Sequence, residues 1–486
     1  MKKIALPRIE TGVRNLDALL GGGLPKGAVS VIGGSPGAGK TILAQQIAFH
    51  HASPERRVLW FGTLSEPTAK TLRYTSQFAF FDRAKLDSGE VQFVDLGAIV
   101  RAKGLGDASK MIKENIKQFE PSLVVIDSFK VFDDLAPSRE EQRKFSYDLA
   151  VHLMAWEATA FLLGEYGAQD LASNPMFSIV DGLVLLTHGE EAGEPQRFLQ
   201  IVKMRGTDHS RERLPFVITS AGIDVFAPRI AIQRDPRAEV GPVSRMHTGI
   251  AKLDELLGEG IPRGSSLLVA GTSGTGKTVL LLEFLYRGAL AGEKGIMFSF
   301  EETDERLRAT ARGLGWDLDA QIAAGMVELV TIPQPNIFVD ADILKIKERV
   351  EAMRAQRVAI DSLSVFLHKL DSASSIGVKV YQLATIMQNA GAVGLFATDI
   401  PYGTTRLTRT GVEETVVDGA IVLSAVEEGF ERRRYIEIYK LRNTAHMTGR
   451  HSMVIGPRGI TIVPRYRVGK PTPARPRRPA KRNRRS

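Results

Sequence analysis

Apolar residues in this chain gather in short, nearly unbroken runs, and between the runs they recur at helical spacing. In the first half the runs are "AVSVIGG" (28–34), "RVLWFG" (57–62), "SLVVIDS" (122–128), "TAFLLGE" (159–165) and "GLVLLTH" (182–188). Their continuity predicts strands buried on both faces, and the helical stretches between them predict crossovers. Together they specify an α/β fold with a parallel sheet covered by helices. The pattern then repeats. "TGVRNLDALLGGGLPKG" (11–27) returns as "TGIAKLDELLGEGIPRG" (248–264), an offset of 237. The same offset relates Lys40 to Lys277, "VKMRGTDHS" (202–210) to "YKLRNTAHM" (439–447), and Gly222-Ile223 to Gly459-Ile460. An offset kept from the start to the end of each half means tandem domains. The expected boundaries are 1–236 and 237–466, with "RDPRAEVGPVS" (234–244) as the linker.

Each half carries a glycine-rich loop between an apolar run and a helical segment. "GSPGAGKT" (34–41) precedes "ILAQQIAFHH", and "GTSGTGKT" (271–278) precedes "VLLLEFLYRGAL". Both satisfy G-x-x-x-x-G-K-[ST] in the context that motif requires. Such a loop lets backbone N–H groups converge on phosphate oxygens, and the helix N-terminus adds its dipole. The nucleotide-binding set is Gly34, Gly37, Gly39, Lys40 and Thr41 in the first half. In the second it is Gly271, Ser273, Gly274, Thr275, Gly276, Lys277 and Thr278. The lysines are expected at the β/γ-phosphates of ATP, and the threonines at Mg²⁺. "SLVVIDS" ends in Asp127 and "RVAIDS" in Asp361, acids placed at buried strand ends to face the magnesium water shell.

The halves differ at one point. "FSFEETDE" (298–305) places Glu301 and Glu302 at the end of the strand after the loop helix, where a carboxylate can orient or deprotonate the attacking nucleophile. The first half reads "FGTLSEPT" (61–68), with Leu64 and Ser65 in those places and Glu66 one step late. A one-residue shift at a strand end points a side chain elsewhere. The first half is therefore expected to bind ATP but hydrolyse it poorly. A third pattern, K-x-R-x-x-x-H, recurs as Lys203, Arg205, His209 and as Lys440, Arg442, His446. Two cations on one strand face can clamp a γ-phosphate. Their late position suggests service to a neighbouring subunit's nucleotide, as an arginine finger acts in trans.

The formal net charge of +9 has a local source. Residues 467–486 hold nine of the 64 basic residues and no acid, leaving 55 basic against 55 acidic in the body. Rich in proline and arginine, this tail cannot bury a core and is expected to be disordered. It reads either as an arm for nucleic acid or an acidic protein, or as a solubilising tail. Cysteine is absent, which excludes disulfides and thiolate metal sites. No apolar run approaches the roughly 20 residues of a membrane helix. "MKKIALPRIETGVRNL" lacks the apolar core of a signal peptide, so a cytoplasmic protein without membrane contact is expected.

Taken together, these segments resemble the KaiC family, the double-domain ATPases of the RecA-like superfamily. The resemblance spans about residues 8–465 and rests on the repeated "TGVRNLDALLGGGLPKG", both loops, "FSFEET", "VVIDS"/"VAIDS", and the "KMRG" and "KLRN" segments. It implies tandem RecA-like P-loop NTPase domains and a homohexamer of two stacked rings with ATP between subunits. It further implies a first ring acting as clock ATPase, a second performing autophosphorylation and dephosphorylation, and a KaiB-like clock partner. Glu301 would be the general base of the second domain, and Lys440 and Arg442 would reach ATP on the adjacent subunit.

The departures are informative. The family's first ring has its own glutamate pair, replaced here by Leu64 and Ser65. Aligned on "TVVDGAIVL" (415–423), the family's Ser-Thr phosphorylation site falls on Glu414 and Thr415. Thr415 is the phosphoacceptor candidate, with Thr408 and Thr410 behind it. Glu414 either mimics a phosphorylated serine or marks a decayed site. The tail is unlike the family's partner-binding peptide, so regulation by the usual clock partner is not expected there. Two other readings stay open: a nucleic-acid-dependent motor on the same fold, and an ATP-bound scaffold without turnover. The basic tail favours the motor, but no aromatic-interleaved basic stretch forms a single-strand platform.

Overall fold

The apolar run at 29–34 becomes the central strand of the first half's sheet. The computed structural model describes residues 6–63, 68–191, 194–227, 232–235, 244–334, 337–370, 372–401, 404 and 406–463. The first sheet has nine strands: β1 (Val29–Gly34), β2 (Val58–Gly62), β3 (Val91–Asp95), β4 (Leu123–Asp127), β5 (Thr159–Gly164), β6 (Gly182–Glu191), β7 (Glu194–Met204), β8 (Arg213–Thr219) and β9 (Gly222–Val225). Their spatial order is β9-β8-β7-β6-β1-β5-β4-β2-β3. Strands β1 to β6 pair in parallel. Strands β7 to β9 extend the sheet antiparallel.

The second half repeats this plan. Its strands are β10 (Ser266–Gly271), β11 (Gly295–Ser299), β12 (Val327–Thr331), β13 (Arg357–Asp361), β14 (Val393–Asp399), β15 (Gly419–Glu428), β16 (Glu431–Leu441), β17 (Arg450–Gly456) and β18 (Gly459–Val463). The order is β12-β11-β13-β14-β10-β15-β16-β17-β18, the same sequence of places as in the first half. The fold is thus α/β, with two mainly parallel sheets flanked by helices. By contact the chain divides into Met1–Gln233 and Arg234–Ser486. The boundary expected at 236/237 and the basic tail at 467–486 lie outside the described residues.

All five expected strands of the first half form, as β1, β2, β4, β5 and β6. The strand β3 was not read from the pattern. It is the sheet's edge and only half-buried, so its residues "VQFVD" lack a continuous apolar signature. The helices explain why the central strands are apolar on both sides. Helix α1 (Lys40–His51) packs Leu43 and Ile47 on one face, against Ile32, Trp60 and Phe161. Helices α2 (Gly97–Phe119) and α3 (Arg139–Ala155) cover the other, setting Ile112, Leu149 and Leu153 against Val31, Leu59 and Ile126. Each such burial contributes roughly 1.5–3 kcal/mol. A short helix, α4 (Met176–Ile179), precedes β6. The corresponding helices of the second half are α5 (Lys277–Leu290), α6 (Val339–Met353), α7 (Ala373–Ala390) and α8 (Glu413–Val416).

The helix behind each glycine-rich loop is tied to the far edge of its sheet. Gln46 Oε1 on α1 accepts from the Ile223 N–H at 2.7 Å, and Glu283 Oε2 on α5 accepts from the Ile460 N–H at 2.7 Å. This contact explains the repeated Gly-Ile pair. A Cβ on Gly222 would lie 2.4 Å from the Gln46 side chain, and one on Gly459 2.5 Å from Glu283. Both glycines also adopt positive φ.

One buried acid sets a pH dependence. Asp342, in the first turn of α6, is 7% exposed and accepts from the Phe338 N–H at 2.9 Å. Desolvation pushes its pKa from 3.8 up to about 6, partly opposed by that hydrogen bond and by Lys345 and Lys369. A carboxyl with a raised folded pKa stabilises the fold fully below its unfolded value and loses that contribution as pH rises through its folded value. Asp342→Asn keeps the acceptor and removes the charge. It should raise the stability of the second unit by about 3 kcal/mol at pH 7, with the gain mostly gone near pH 4. Urea denaturation at the two pH values measures this, and a gain independent of pH would contradict it.

Candidate functional site

The carboxyl ends of the parallel strands meet the glycine-rich loop in each half, the usual ligand position in a sheet of this kind. The loop leaves β1 at Gly34, whose added Cβ would lie 1.9 Å from the Leu186 carbonyl oxygen on β6. Only glycine allows that approach. Gly37 and Gly39 adopt φ of 71° and 103°, and Gly39 caps α1. In the second half a Cβ on Gly271 would meet Thr275 Oγ1 at 2.6 Å and the Leu423 carbonyl at 2.7 Å. Gly274 and Gly276 have φ of 78° and 104°. Thr275 is buried and donates to the Thr272 carbonyl at 2.8 Å, closing the loop from within, while Ser273 stands exposed at its crest.

The loop lysines curl onto their own loops. Lys40 Nζ donates to the carbonyls of Gly34 (3.1 Å) and Ser35 (2.9 Å). Burial lowers its pKa, opposed by Glu165 and then Asp127. Lys277 Nζ donates to Gly271 and Thr272 carbonyls and to Asp399 Oδ1. The next residue of each loop meets the acid at the end of a strand. Thr41 Oγ1 donates to Asp127 Oδ2 at 2.8 Å, and Thr278 hydrogen-bonds Asp361. Asp361 is 2% exposed, and its pKa is raised to about 6 by burial and then by Glu301 and Glu302, against the Thr278 hydrogen bond and Lys277.

Asp361 Oδ2 is buried without a hydrogen-bond partner, an oxygen oriented for a cation or its water. Hydroxyl and carboxylate oxygens of this kind fit Mg²⁺ held jointly with phosphates. Among the described residues no group of three or more His, Asp or Glu could hold a metal ion by itself.

Glu301 lies two residues beyond the end of β11 and accepts a short hydrogen bond from Ser362 Oγ, the residue after Asp361. Glu302 is fixed through its backbone: its N–H donates to Ser299 Oγ at 3.1 Å and its carbonyl accepts from the same hydroxyl at 2.8 Å. The structure therefore gathers Lys277, Thr278, Glu301, Glu302 and Asp361 at one place. In the first half a cavity of about 560 Å³ is lined by Lys40, Thr41, Asp127, Lys130, Trp60 and Glu165 among others. Leu64 and Ser65 lie outside the described residues.

Lys203, Arg205, Lys440 and Arg442 stand at the opposite end of the strands. Lys203 pairs in register with Leu183 at the start of β6, whereas the loop glycine Gly34 pairs with Leu186 further along. Lys440 likewise faces Ala420 while Gly271 faces Leu423. Neither pair joins the loop of its own half. Instead they hold the carbonyls that end the short helix. Lys203 Nζ donates to Val180 (2.6 Å) and Phe177 (3.1 Å), and Arg205 Nη2 to Ser178 (2.9 Å). Lys440 Nζ donates to Val417 (2.7 Å) and Glu414 (2.8 Å), and Arg442 Nη2 to Thr415 (2.8 Å). Burial lowers the pKa of both lysines, and the adjacent arginine adds to it. His209 and His446 each set Nδ1 against the carbonyl two residues earlier, at 3.1 and 3.2 Å.

Thr415 is exposed on α8, its hydroxyl donating to the Val412 carbonyl at 2.7 Å. Thr408 is corrected as a phosphoacceptor candidate. It is fully buried, donating to Glu413 at 2.8 Å and Glu414 at 3.2 Å, so its hydroxyl is not presented. The sequence reading missed Glu165 and Asp399, which occupy the matching place after β5 and at the end of β14 beside the loop lysines. Their signal was present: "TAFLLGE" and "GLFATD" are apolar runs ending in an acid, like "VVID".

A family model described as "ATPase: KaiC" matches the chain twice, over residues 9–230 and 246–467. The chain is similar to the circadian clock oscillator protein KaiC of Parathermosynechococcus lividus, with 29% identity over 474 residues, covering 95% of this chain and 86% of that protein. It is also similar to the protein of the same name from Picosynechococcus sp., at 27% identity, covering 95% of this chain and 90% of that one. The circadian clock protein KaiC3 of Synechocystis sp. is 28% identical over 455 residues, covering 91% and 88%.

Proposed function

Because this chain belongs to the KaiC family of ATPases, we propose that it is a clock-type or signalling regulator. In this reading it binds ATP in both domains, hydrolyses it mainly in the second, and transfers phosphate to Thr415 of an adjacent subunit. The observation that carries this reading is the convergence of Lys277, Thr278, Asp361 and Glu301 at one strand-end cluster. Mg²⁺ held by Thr278 and Asp361, or by Thr41 and Asp127, would neutralise charge on the transferring phosphoryl group. Glu301, hydrogen-bonded by Ser362, would accept a proton from the attacking oxygen. With water as nucleophile, the new P–O bond forms as the bond to ADP breaks, and the proton passes to Glu301. With the Thr415 hydroxyl of an adjacent subunit, the same steps give a phosphothreonine and ADP.

Position supports the assembly part of the proposal. Lys203, Arg205, His209 and Lys440, Arg442, His446 stand at the strand ends away from their own loops, so they suit a nucleotide on an adjacent subunit. A homohexamer with ATP at its interfaces satisfies both ends at once. A cytoplasmic location and a KaiB-like partner follow from the same reading. No described helix is long and apolar enough to cross a membrane.

Glu301→Gln should reduce ATP turnover by about 10²-fold or more, while Lys40→Ala should weaken assembly more than it weakens chemistry. Full turnover in Glu301→Gln would remove the assignment. Sedimentation with and without ATP-Mg²⁺ should show an oligomer whose size depends on nucleotide; a monomer under both conditions would exclude shared sites. Mass spectrometry after incubation with ATP-Mg²⁺ should find slow, partial phosphorylation at Thr415, increased in Glu414→Ser because the fixed anion beside the acceptor is gone. No mass gain in either protein would leave an ATPase without autokinase activity.

A further inference from the structure

The two loop lysines are held differently. An ammonium has three N–H donors, and Lys277 uses them on the Gly271 carbonyl (2.9 Å), the Thr272 carbonyl (3.3 Å) and Asp399 Oδ1 (2.8 Å). The Lys277 side chain is 10% exposed and that of Asp399 46%. Among the described residues Lys40 donates only to its two loop carbonyls. Glu165, in the place that matches Asp399, lines the same cavity as Lys40 but forms no hydrogen bond or ion pair with it. Asp399 is also fixed from behind. Its N–H donates to Ser364 Oγ at 2.8 Å, and that hydroxyl lies 3.0 Å from Thr398 Oγ1.

We propose that Asp399 sets the preference of the second domain between ATP and ADP. The inference rests on the reading that this domain binds nucleotide. Strand β14 lies between β10 and β13. Asp399, at its end, therefore stands on the side of the loop that faces Asp361 and Glu301, the side toward which a terminal phosphate points. The loop amides that cradle the inner phosphates lie at Gly274–Thr278, away from it. With ADP, Lys277 can bind the β-phosphate and keep Asp399. With ATP, the γ-phosphate competes with Asp399 for the same ammonium and is repelled by its charge. Asp399 is thus a positioning residue that opposes one nucleotide and not the other. It acts through Lys277 rather than on the reacting atoms.

The test uses the full chain carrying Lys40→Ala, so that calorimetric titration with Mg²⁺ reads the second domain. The probes are ADP and a non-hydrolysable ATP analogue. Asp399→Asn should tighten the analogue about tenfold while moving ADP by less than about threefold, as expected for losing one competing charge-assisted bond. Asp399→Glu should restore the low ratio, which loss of packing alone would not do. Asp399→Ser supplies the same sign should the amide be poorly tolerated. An unchanged analogue-to-ADP ratio in both neutral variants overturns the proposal and leaves nucleotide binding standing. Failure of both the Lys40→Ala chain and the unsubstituted chain to bind either nucleotide overturns both.

Discussion

The seat of the glycine-rich loop against the neighbouring strand is the constraint on which the rest of each domain depends. Gly34 and Gly271 approach the carbonyls of Leu186 and Leu423 so closely that any side chain would collide with the backbone. That approach turns the chain sharply from a buried strand into a helix. It also delivers Lys40-Thr41 and Lys277-Thr278 to the first turn, where the helix dipole favours an anion. Asp127 and Asp361 can meet those threonines only because parallel pairing ends all the central strands at the same level. A widened loop would displace the lysine, the threonine and the acid together.

The same parallel order separates the two kinds of charged group by the length of a strand. Loops and acids gather at the carboxyl ends, and the Lys-x-Arg pairs at the opposite ends, where they brace the carbonyls of a short helix. Each domain built this way has two unlike ends. Unlike faces that attract each other associate head to tail, and a head-to-tail contact closes into a ring when its rotation allows. The proposed hexamer would join that geometry to a shared nucleotide.

How much of this was legible in the sequence follows from which contacts are local. The loops, the acids after "VVID" and "VAID", and the strands buried on both faces are written in contiguous residues, and all stand where they were read. The edge strand β3 was not, because one exposed side breaks the apolar run. The pairing of Lys277 with Asp399 spans 122 residues, so no local pattern encodes it. Thr408 looked available in "RLTRTG", and only the folding back of Glu413 and Glu414 buries it. Lys203 and Arg205 were read as two cations on one face. Their grip on carbonyls 23 to 27 residues earlier depends on where α4 ends.

The tie between the loop helix and the last strand carries a consequence for biosynthesis. Gln46 reaches Ile223, and Glu283 reaches Ile460, each across 177 residues. A contact of that span forms late, because its loop-closure entropy must be met before it contributes. On the ribosome the first helix therefore waits, its anchoring edge unmade, until nearly the whole of its own half has emerged. It does not wait for the second half. Because each tie closes within one repeat, the contacts that complete the first half need no residue of the second.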